Sequence, residues 1–201
     1  MISSRYFDKT PSSKIRGYLN IKPWPHLVLD NFLDEEIINS AINEIAEYDY
    51  KFDIDYRGKG RIEYSLLRSE LLWRAMYSSK MISILSKAFK LNIKLNKDNL
   101  IQLRRMDSCT PAFPVHNDHI LGMDSLVAFL YLSKDWNPDC GGHLLLHKSN
   151  KKTEVNFKIA PIFNRLVVFQ TKSTFWHSVE KVNNWSRLSA LAVWDIKNNI
   201  T

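Results

Sequence analysis

The sequence lacks the segments that would place it in or across a membrane. Within its 201 residues no apolar run approaches the roughly 20 residues needed to span a bilayer. The opening residues Met-Ile-Ser-Ser-Arg-Tyr do not form the basic region and apolar core of a signal peptide. We therefore expect a cytoplasmic protein with no membrane partner.

Cysteine is also scarce. Cys109 and Cys140 are the only two, and no CxxC pair occurs. Isolated thiols suit a reducing compartment, and their number argues against a disulfide scaffold or a zinc ribbon. A chain of this length with 45% hydrophobic residues can instead bury one substantial core.

Charge is plentiful but not concentrated. The net charge is +7 and the sequence pI is about 9.3, yet no run of five or more like charges occurs. A nucleic-acid arm normally has such a run, so nucleic acid is disfavoured as a partner. A diffuse positive field favours an anionic substrate or an acidic partner.

The first half of the chain has helical periodicity. Residues 1–22 mix Ser, Lys, Pro and Gly without a period and are expected to form a loosely ordered lead-in. Asp34 is a predicted N-cap for a helix that ends near Glu47. A second helical pattern over 65–91 is interrupted near Ser78 and predicts two helices.

The second half has a different pattern. Short β-branched and aromatic segments, about eight of them, are separated by Pro, Gly, Asn and Asp between 98 and 196. Helices followed by such strands predict a mostly β fold with packing helices around a jelly-roll, cupin-like double-stranded β-helix. We expect one domain over 23–201, with helical support at 34–95 and the barrel core at 98–196.

His116 and Asp118 are the first candidate metal ligands. On the predicted strand Val115–Asp118, residues two apart share a face, whereas His119 points the other way. One imidazole and one carboxylate make two thirds of the facial triad that holds Fe(II) and leaves positions open. The third ligand should then be a distant His, since opposing barrel strands are far apart in sequence.

His177 and Arg187 supply what this site still needs. Of the six histidines, His177 lies in a predicted strand at 174–178, late in the barrel. Arg187 opens the apolar strand 188–194, and a buried guanidinium needs an anionic partner. A dicarboxylate gripped bidentately is a good candidate for that partner.

Together these residues resemble the signature of the Fe(II)- and 2-oxoglutarate-dependent dioxygenase superfamily. His116-x-Asp118, His177 and Arg187 occur in the superfamily's order. The resemblance is closest to the prolyl 4-hydroxylase-like branch. It extends over most of 23–195 and includes the segments 25–33, 129–136 and 161–169 and the pair Gly141-Gly142.

The resemblance implies a function for each of these residues. His116, Asp118 and His177 would ligate Fe(II), while Arg187 and Tyr131 would bind the distal carboxylate of 2-oxoglutarate. O2 would be the second cosubstrate, with ascorbate as an auxiliary reductant. The expected reaction hydroxylates an unactivated C–H of a prolyl residue, a free amino acid or another small metabolite, releasing succinate and CO2. Halogenating members lack the carboxylate, so Asp118 favours hydroxylation.

Some features depart from the branch. Met106 stands where a tyrosine often helps to hold 2-oxoglutarate, and Gln102 and Arg104 on the same predicted strand are candidates to replace it. His143 follows the double glycine, where a smaller or acidic residue is usual. The Gly-rich segment Asp53–Glu63 is either a substrate lid or an ordinary surface loop.

Other readings of the same residues stay open. The centre could serve demethylation or desaturation instead of hydroxylation. The nucleobase-repair branch usually has a second Arg shortly after the first, and none follows Arg187 within 188–193. In a different class, the barrel could be a non-catalytic jelly-roll module that binds a ligand or sugar.

Overall fold

This computed structural model describes residues 1–6, 12–57, 60–94 and 99–197, and in them four α-helices and thirteen strands. The helices are α1 (Ser12–Gly17), α2 (Glu35–Ala46), α3 (Glu70–Met76) and α4 (Ser79–Phe89). The strands are β1 (Leu19–Asn20), β2 (His26–Leu29), β3 (Asp53–Arg57), β4 (Gly60–Leu66), β5 (Ile93–Lys94), β6 (Gln102–Met106), β7 (Phe113–His116), β8 (Ser125–Tyr131), β9 (Leu144–His147), β10 (Val155–Ile159), β11 (Leu166–Gln170), β12 (His177–Val179) and β13 (Arg187–Ile196).

The strands form two antiparallel sheets. The large sheet has the order β1-β2-β11-β8-β13-β6-β4-β3, with β5 paired to β13. The small sheet has the order β10-β9-β12-β7. Leu144 and Leu146 of the small sheet share one apolar cluster with Val127 and Phe169 of the large one. The predicted mostly β fold, with a jelly-roll core and packing helices, is confirmed.

Alternation along β8 separates two cores. Leu126 and Leu130 pack in a large cluster with residues of the helices, while Val127 and Tyr131 belong to the cluster between the sheets. Burying one such leucine contributes about 2 kcal/mol. Because successive side chains point to opposite faces, β8 fixes the helices on one face and turns its other face toward the cavity between the sheets.

The helix boundaries follow from serine caps. The Ser69 hydroxyl accepts from the Leu72 N–H at 3.2 Å, and the Ser78 hydroxyl accepts from the Met81 N–H at 3.1 Å. The predicted break near Ser78 is confirmed. The predicted helix start at residue 65 is wrong, because 60–66 form β4. Among the residues described, no helix has the length and hydropathy to cross a bilayer.

The segment Asp53–Glu63 is a β-hairpin. β3 pairs with β4, and β4 continues the large sheet by pairing with β6. A side chain at Gly60 would collide with the Phe113 ring, so this end of the hairpin packs closely on β7. The segment therefore belongs to the sheet and is not a separate surface loop. The tip at 58–59 lies outside the described residues.

The described part of the lead-in packs into the core. Ile2, Tyr6 and Ile15 are each at most 2% exposed, and the Ser3 N–H donates to the Phe32 carbonyl at 2.8 Å. The expectation of a loosely ordered segment over 1–22 is therefore wrong for these residues. These three buried apolar side chains are irregularly spaced, so the sequence of this segment shows no helical or strand periodicity. Residues 7–11 lie outside the described part.

We expect Gly141→Ala to destabilise the fold by about 2–4 kcal/mol. Gly141 has φ +63° and ψ −139°, and a Cβ there would collide with the Lys181 carbonyl oxygen. The measurement is the free energy of unfolding in urea. Gly17→Ala is the matched control, since a Cβ added at Gly17 would meet no atom within 4 Å. Equal stabilities of the two variants would contradict the prediction.

Candidate metal centre and cosubstrate pocket

Two paired strands and one loop bring three donor side chains together. His116 ends β7, and His177 opens β12 directly opposite it in the strand register. Asp118 Oδ1 lies 3.5 Å from His116 Nε2, and Asp118 Oδ2 lies 3.3 Å from His177 Nε2. The donor atoms of all three residues lie within 4.8 Å of one another. These three residues could hold one metal ion.

The backbone fixes the orientation of both imidazoles. His116 Nδ1 donates to the Pro114 carbonyl at 2.9 Å, and His177 Nδ1 donates to the Phe175 carbonyl at 3.3 Å. In the neutral form of each ring, this bond keeps the proton on Nδ1 and leaves the Nε2 lone pair for a metal ion. Both Nε2 atoms face Asp118. The Nδ1–H bonds to backbone carbonyls are the second-sphere contacts typical of metal-bound histidines.

Asp118 is the anionic member of the group. Burial acts to raise the pKa of this carboxyl, but hydrogen bonds and charge from His116 and His177 outweigh it and hold the pKa well below the ordinary 3.8. Asp118 is therefore ionised at neutral pH. Two imidazoles and one carboxylate, with further positions open, form the donor set of non-haem Fe(II) oxygenases.

Asp118 reaches the centre from a loop. The predicted strand Val115–Asp118 is shifted, because β7 spans Phe113–His116 and ends before the carboxylate. Asn117 holds the loop instead: its Nδ2 donates to the Ser173 carbonyl at 3.1 Å, and its Oδ1 accepts from the His119 N–H at 3.2 Å. The preference for Asp118 over His119 agrees with the observed donor group, although strand alternation is not the cause.

Arg187 and Tyr131 form a buried polar pair, of which Arg187 lines the same cavity as the donor group. Arg187 is 4% exposed, and its Cζ lies 4.9 Å from the Tyr131 ring centroid. Among the described residues, neither Arg187 Nε nor Tyr131 Oη has a hydrogen-bond partner. Buried polar groups are rarely left unsatisfied, and a carboxylate would accept from both. The pair therefore fits one end of a dicarboxylate.

Gly142 leaves room for the arginine. A Cβ at this position would lie 3.3 Å from Arg187 Cδ and 3.3 Å from Val182 Cγ2, tighter than ordinary contact. Gly142 also has φ +71°, which L side chains rarely adopt. The double glycine thus contributes to the site by letting the Arg187 side chain pass close to the backbone.

One cavity of about 280 Å³ joins the donor group to Arg187. The exposed surface of its walls is mostly apolar, as in small-ligand sites, although twelve of the 23 lining residues are polar or charged. The apolar lining between the sheets includes Val127, Phe129, Leu144, Val179 and Leu191.

Three of the four remaining histidines have other partners. His143 Nδ1 lies 2.6 Å from Glu180 Oε2, and His147 Nε2 lies 2.8 Å from the Ser178 hydroxyl. His26 Nδ1 lies 3.0 Å from the Trp24 carbonyl, and burial lowers the pKa of this imidazole. None of the three belongs to the donor group among the described residues.

β6 supplies wall residues that the sequence only partly indicated. Met106 pairs with Arg187 in the strand register, so an apolar side chain does stand beside the arginine. Gln102 and Arg104 also line the cavity. Ser189 was not predicted as a site residue, yet its hydroxyl is fully buried in the same sheet. Alternation from Arg187 along β13 would have placed it on the same face.

One comparison with known families gives a match in the barrel half of the chain. A model of the 2OG-Fe(II) oxygenase superfamily matches residues 105–194, which contain the donor group and Arg187. Over this stretch, which is less than half of the chain, the sequence is similar to that superfamily of 2-oxoglutarate-dependent iron oxygenases. The family implies Fe(II), 2-oxoglutarate and O2 as its cofactor and cosubstrates. No curated protein matches the chain.

Solved structures are similar in fold. A prolyl-4-hydroxylase from Pseudomonas putida has a TM-score of 0.72 at 16% identity, covering 94% of this chain and 100% of that one. A prolyl hydroxylase from Trichoplax adhaerens, in complex with a hypoxia inducible factor peptide fragment, has a TM-score of 0.70 at 18% identity, covering 92% and 88%. The epimerase SnoN from nogalamycin biosynthesis has a TM-score of 0.66 at 11% identity, covering 92% and 82%.

Proposed function

We propose that the chain hydroxylates an unactivated C–H bond of a prolyl residue, a free amino acid or another small metabolite. The reaction would consume 2-oxoglutarate and O2 and release succinate and CO2. The observation that carries this proposal is one cavity that joins the His116–Asp118–His177 donor group to Arg187, whose guanidinium lies over the buried Tyr131 ring.

Each residue has a defined part in this proposal. His116, Asp118 and His177 bind Fe(II), and Arg187 with the Tyr131 hydroxyl binds the distal carboxylate of 2-oxoglutarate. Bound iron, with its two cosubstrates, supplies the oxidising chemistry. The apolar walls limit the access of water to the site. Asp118 fills a position that halide occupies in halogenating members, so hydroxylation is the favoured outcome.

The substrate candidates have different support. The Trichoplax adhaerens enzyme was solved with a peptide fragment, which supports a peptidyl substrate for a chain of the same fold. SnoN belongs to the biosynthesis of a small molecule, which supports a metabolite.

The proposed function is tested in two stages. Under anaerobic conditions, Fe(II) and 2-oxoglutarate should together give a weak visible charge-transfer band. In air, succinate release should be screened over peptides, amino acids and metabolites, with a gain of one oxygen in the product mass. Loss of carbon or of hydrogen would indicate demethylation or desaturation instead. If neither the charge-transfer band nor succinate is detected, the non-catalytic ligand-binding module is the remaining interpretation.

Tyr131→Phe should weaken 2-oxoglutarate binding about fivefold, since one hydrogen bond is worth about 1 kcal/mol. The variant also removes a buried hydroxyl that has no partner among the described residues, so the protein without cosubstrate should not lose stability. The affinity is measured by titrating the charge-transfer band. Tyr77→Phe is the control: its hydroxyl donates to the Leu100 carbonyl at 3.2 Å, and its ring packs in the large cluster with the helices. An unchanged affinity in Tyr131→Phe would remove Tyr131 from the cosubstrate site.

A further inference from the structure

The turn that follows Asp118 exposes a cluster of apolar side chains. Ile120 is 58% exposed, Leu121 92% and Met123 57%. Single exposed apolar residues are normal on a soluble protein, whereas a contiguous apolar patch marks a place where something binds. We call residues 120–123 the apolar turn.

The apolar turn is closed by a hydrogen bond and anchored beside it. The Met123 N–H donates to the Ile120 carbonyl at 3.0 Å, and Gly122 has φ +81°, which this kind of turn requires at its third residue. Directly after the turn, the Asp124 carboxylate accepts from Lys172 Nζ at 2.7 Å. The exposed side chains therefore have a defined position on the barrel.

The two residues that pair across the turn also line the cavity. Ile120 bridges to Met123, and both are lining residues that are more than half exposed. The cavity therefore opens to solvent beside the apolar turn. From this opening the lining continues inward along β8 through Val127 and Phe129, which lie on the same face of the strand, with Leu191 opposite Phe129.

Polar side chains near this opening are bonded to each other. Ser125 and Thr171 both line the cavity, and their hydroxyl oxygens lie 3.0 Å apart. The Thr171 hydroxyl donates to the Ser125 carbonyl at 3.3 Å, which leaves its oxygen to accept from the Ser125 hydroxyl. A peptide backbone brings an N–H and a C=O per residue that need partners, whereas a hydrocarbon chain needs none. This part of the lining fits a hydrocarbon chain better than a peptide.

We propose that the apolar turn is the subsite for a hydrocarbon chain of a small-molecule substrate. Ile120 and Met123 contact an alkyl or acyl chain, which continues inward along β8 over Val127. This inference rests on the proposed function and narrows its substrate to a metabolite or amino acid derivative that carries such a chain. Asp118 and Ile120 are two residues apart, at most about 7 Å of backbone, so the chain begins close to the carbon that is hydroxylated.

The direct test records the methyl groups of methionine. The chain has five methionines, and labelling with ¹³C gives one methyl signal for each. Met123 lies on the apolar turn, whereas Met76 and Met81 are fully buried in the large cluster with the helices and serve as internal controls. The Met123 signal is assigned by its absence in Met123→Leu.

The probe is straight-chain hexanol, added to protein loaded with Zn(II) and saturating 2-oxoglutarate. Iron chemistry is then absent and the cosubstrate pocket is filled. We expect a saturable shift of the Met123 signal, with a Kd of about 1–10 mM, and no shift of the Met76 or Met81 signals. A Met123 signal that does not move up to about 30 mM hexanol would overturn the proposal.

Chain length and a peptide probe identify what the turn binds. Each buried CH2 should tighten binding about threefold to fourfold, so hexanol should bind about tenfold more tightly than butanol. Equal affinities for the two alcohols would contradict a hydrocarbon subsite. N-acetyl-leucinamide, which carries an apolar side chain between two amide groups, should bind more weakly than hexanol. Tighter binding of this compound would assign the turn to a peptide and overturn the proposal.

A variant separates this subsite from the cosubstrate pocket. Ile120→Thr should weaken hexanol binding about fivefold, because a hydroxyl replaces apolar contact, while the 2-oxoglutarate affinity stays within about twofold. Ile21→Thr is the matched control, since Ile21 is an exposed isoleucine that follows β1 at an edge of the large sheet. An unchanged hexanol affinity in Ile120→Thr would remove the apolar turn from the substrate site. The proposed function is tested separately by the charge-transfer band and succinate release of the wild type, so either can fail without the other.

Discussion

His177→Ala is expected to abolish Fe(II) binding while the protein remains folded. His177 contributes one of three donors and is 2% exposed, so water cannot readily replace its imidazole in the same geometry. We expect Fe(II) affinity to fall about a thousandfold, which is about 4 kcal/mol of binding free energy. The cost to folding is smaller, about 1–2 kcal/mol, for the emptied volume and the lost bond to the Phe175 carbonyl.

The measurement is anaerobic titration of Fe(II) followed by the charge-transfer band, with circular dichroism for the fold. His119→Ala is the matched control, because it removes a neighbouring imidazole that lies outside the donor group. It should retain iron and the band. Iron binding that survives in His177→Ala but is lost in His119→Ala would reassign the third ligand.

Arg187→Ala is expected to raise the 2-oxoglutarate requirement about a hundredfold while iron binding persists. A bidentate, charge-assisted contact to a carboxylate in a buried site is worth about 2–3 kcal/mol. Arg187→Lys keeps the charge but loses the planar fork, so its affinity should lie between those of the wild type and the alanine variant. Equal affinities in all three would show that Arg187 is not the carboxylate partner.

The same arginine has the opposite effect on stability. Its buried Nε has no partner among the described residues, and an uncompensated buried cation is costly. Arg187→Met should therefore unfold at an equal or higher urea concentration than the wild type when 2-oxoglutarate is absent. Saturating 2-oxoglutarate should stabilise the wild type and not the variant. A strong loss of stability in Arg187→Met without cosubstrate would point to a structural role.

The residues of the candidate metal centre could be predicted because they follow short, local sequence patterns. His116-x-Asp118 is a short motif, and His177 and Arg187 each stand at the start of a strand in the barrel half of the chain. Arg187 and Tyr131 lie on the paired strands β13 and β8, and the Arg187 guanidinium lies over the Tyr131 ring. The family match over 105–194 covers this same half.

Other features depend on contacts that leave no local pattern. Ser65 and Leu66, where the predicted helical pattern begins, belong to β4 because β6 pairs with them, which overrides their helical spacing. Asp118 reaches the centre through the Asn117 contacts to Ser173 and His119. The N-terminal segment is buried through Ile2, Tyr6 and Ile15, too few and too irregular to form a period.

The pairing of β7 with β12 gives the metal a mechanical part as well as a chemical one. β7 is an edge strand of the small sheet, held by hydrogen bonds to β12 alone in that sheet. His116 and His177 face each other across this junction, so one ion bound to both would link β7 to β12. The loop that carries Asp118 would be fastened by the same ion. Metal binding and the closing of the contact between β7 and β12 would then occur together.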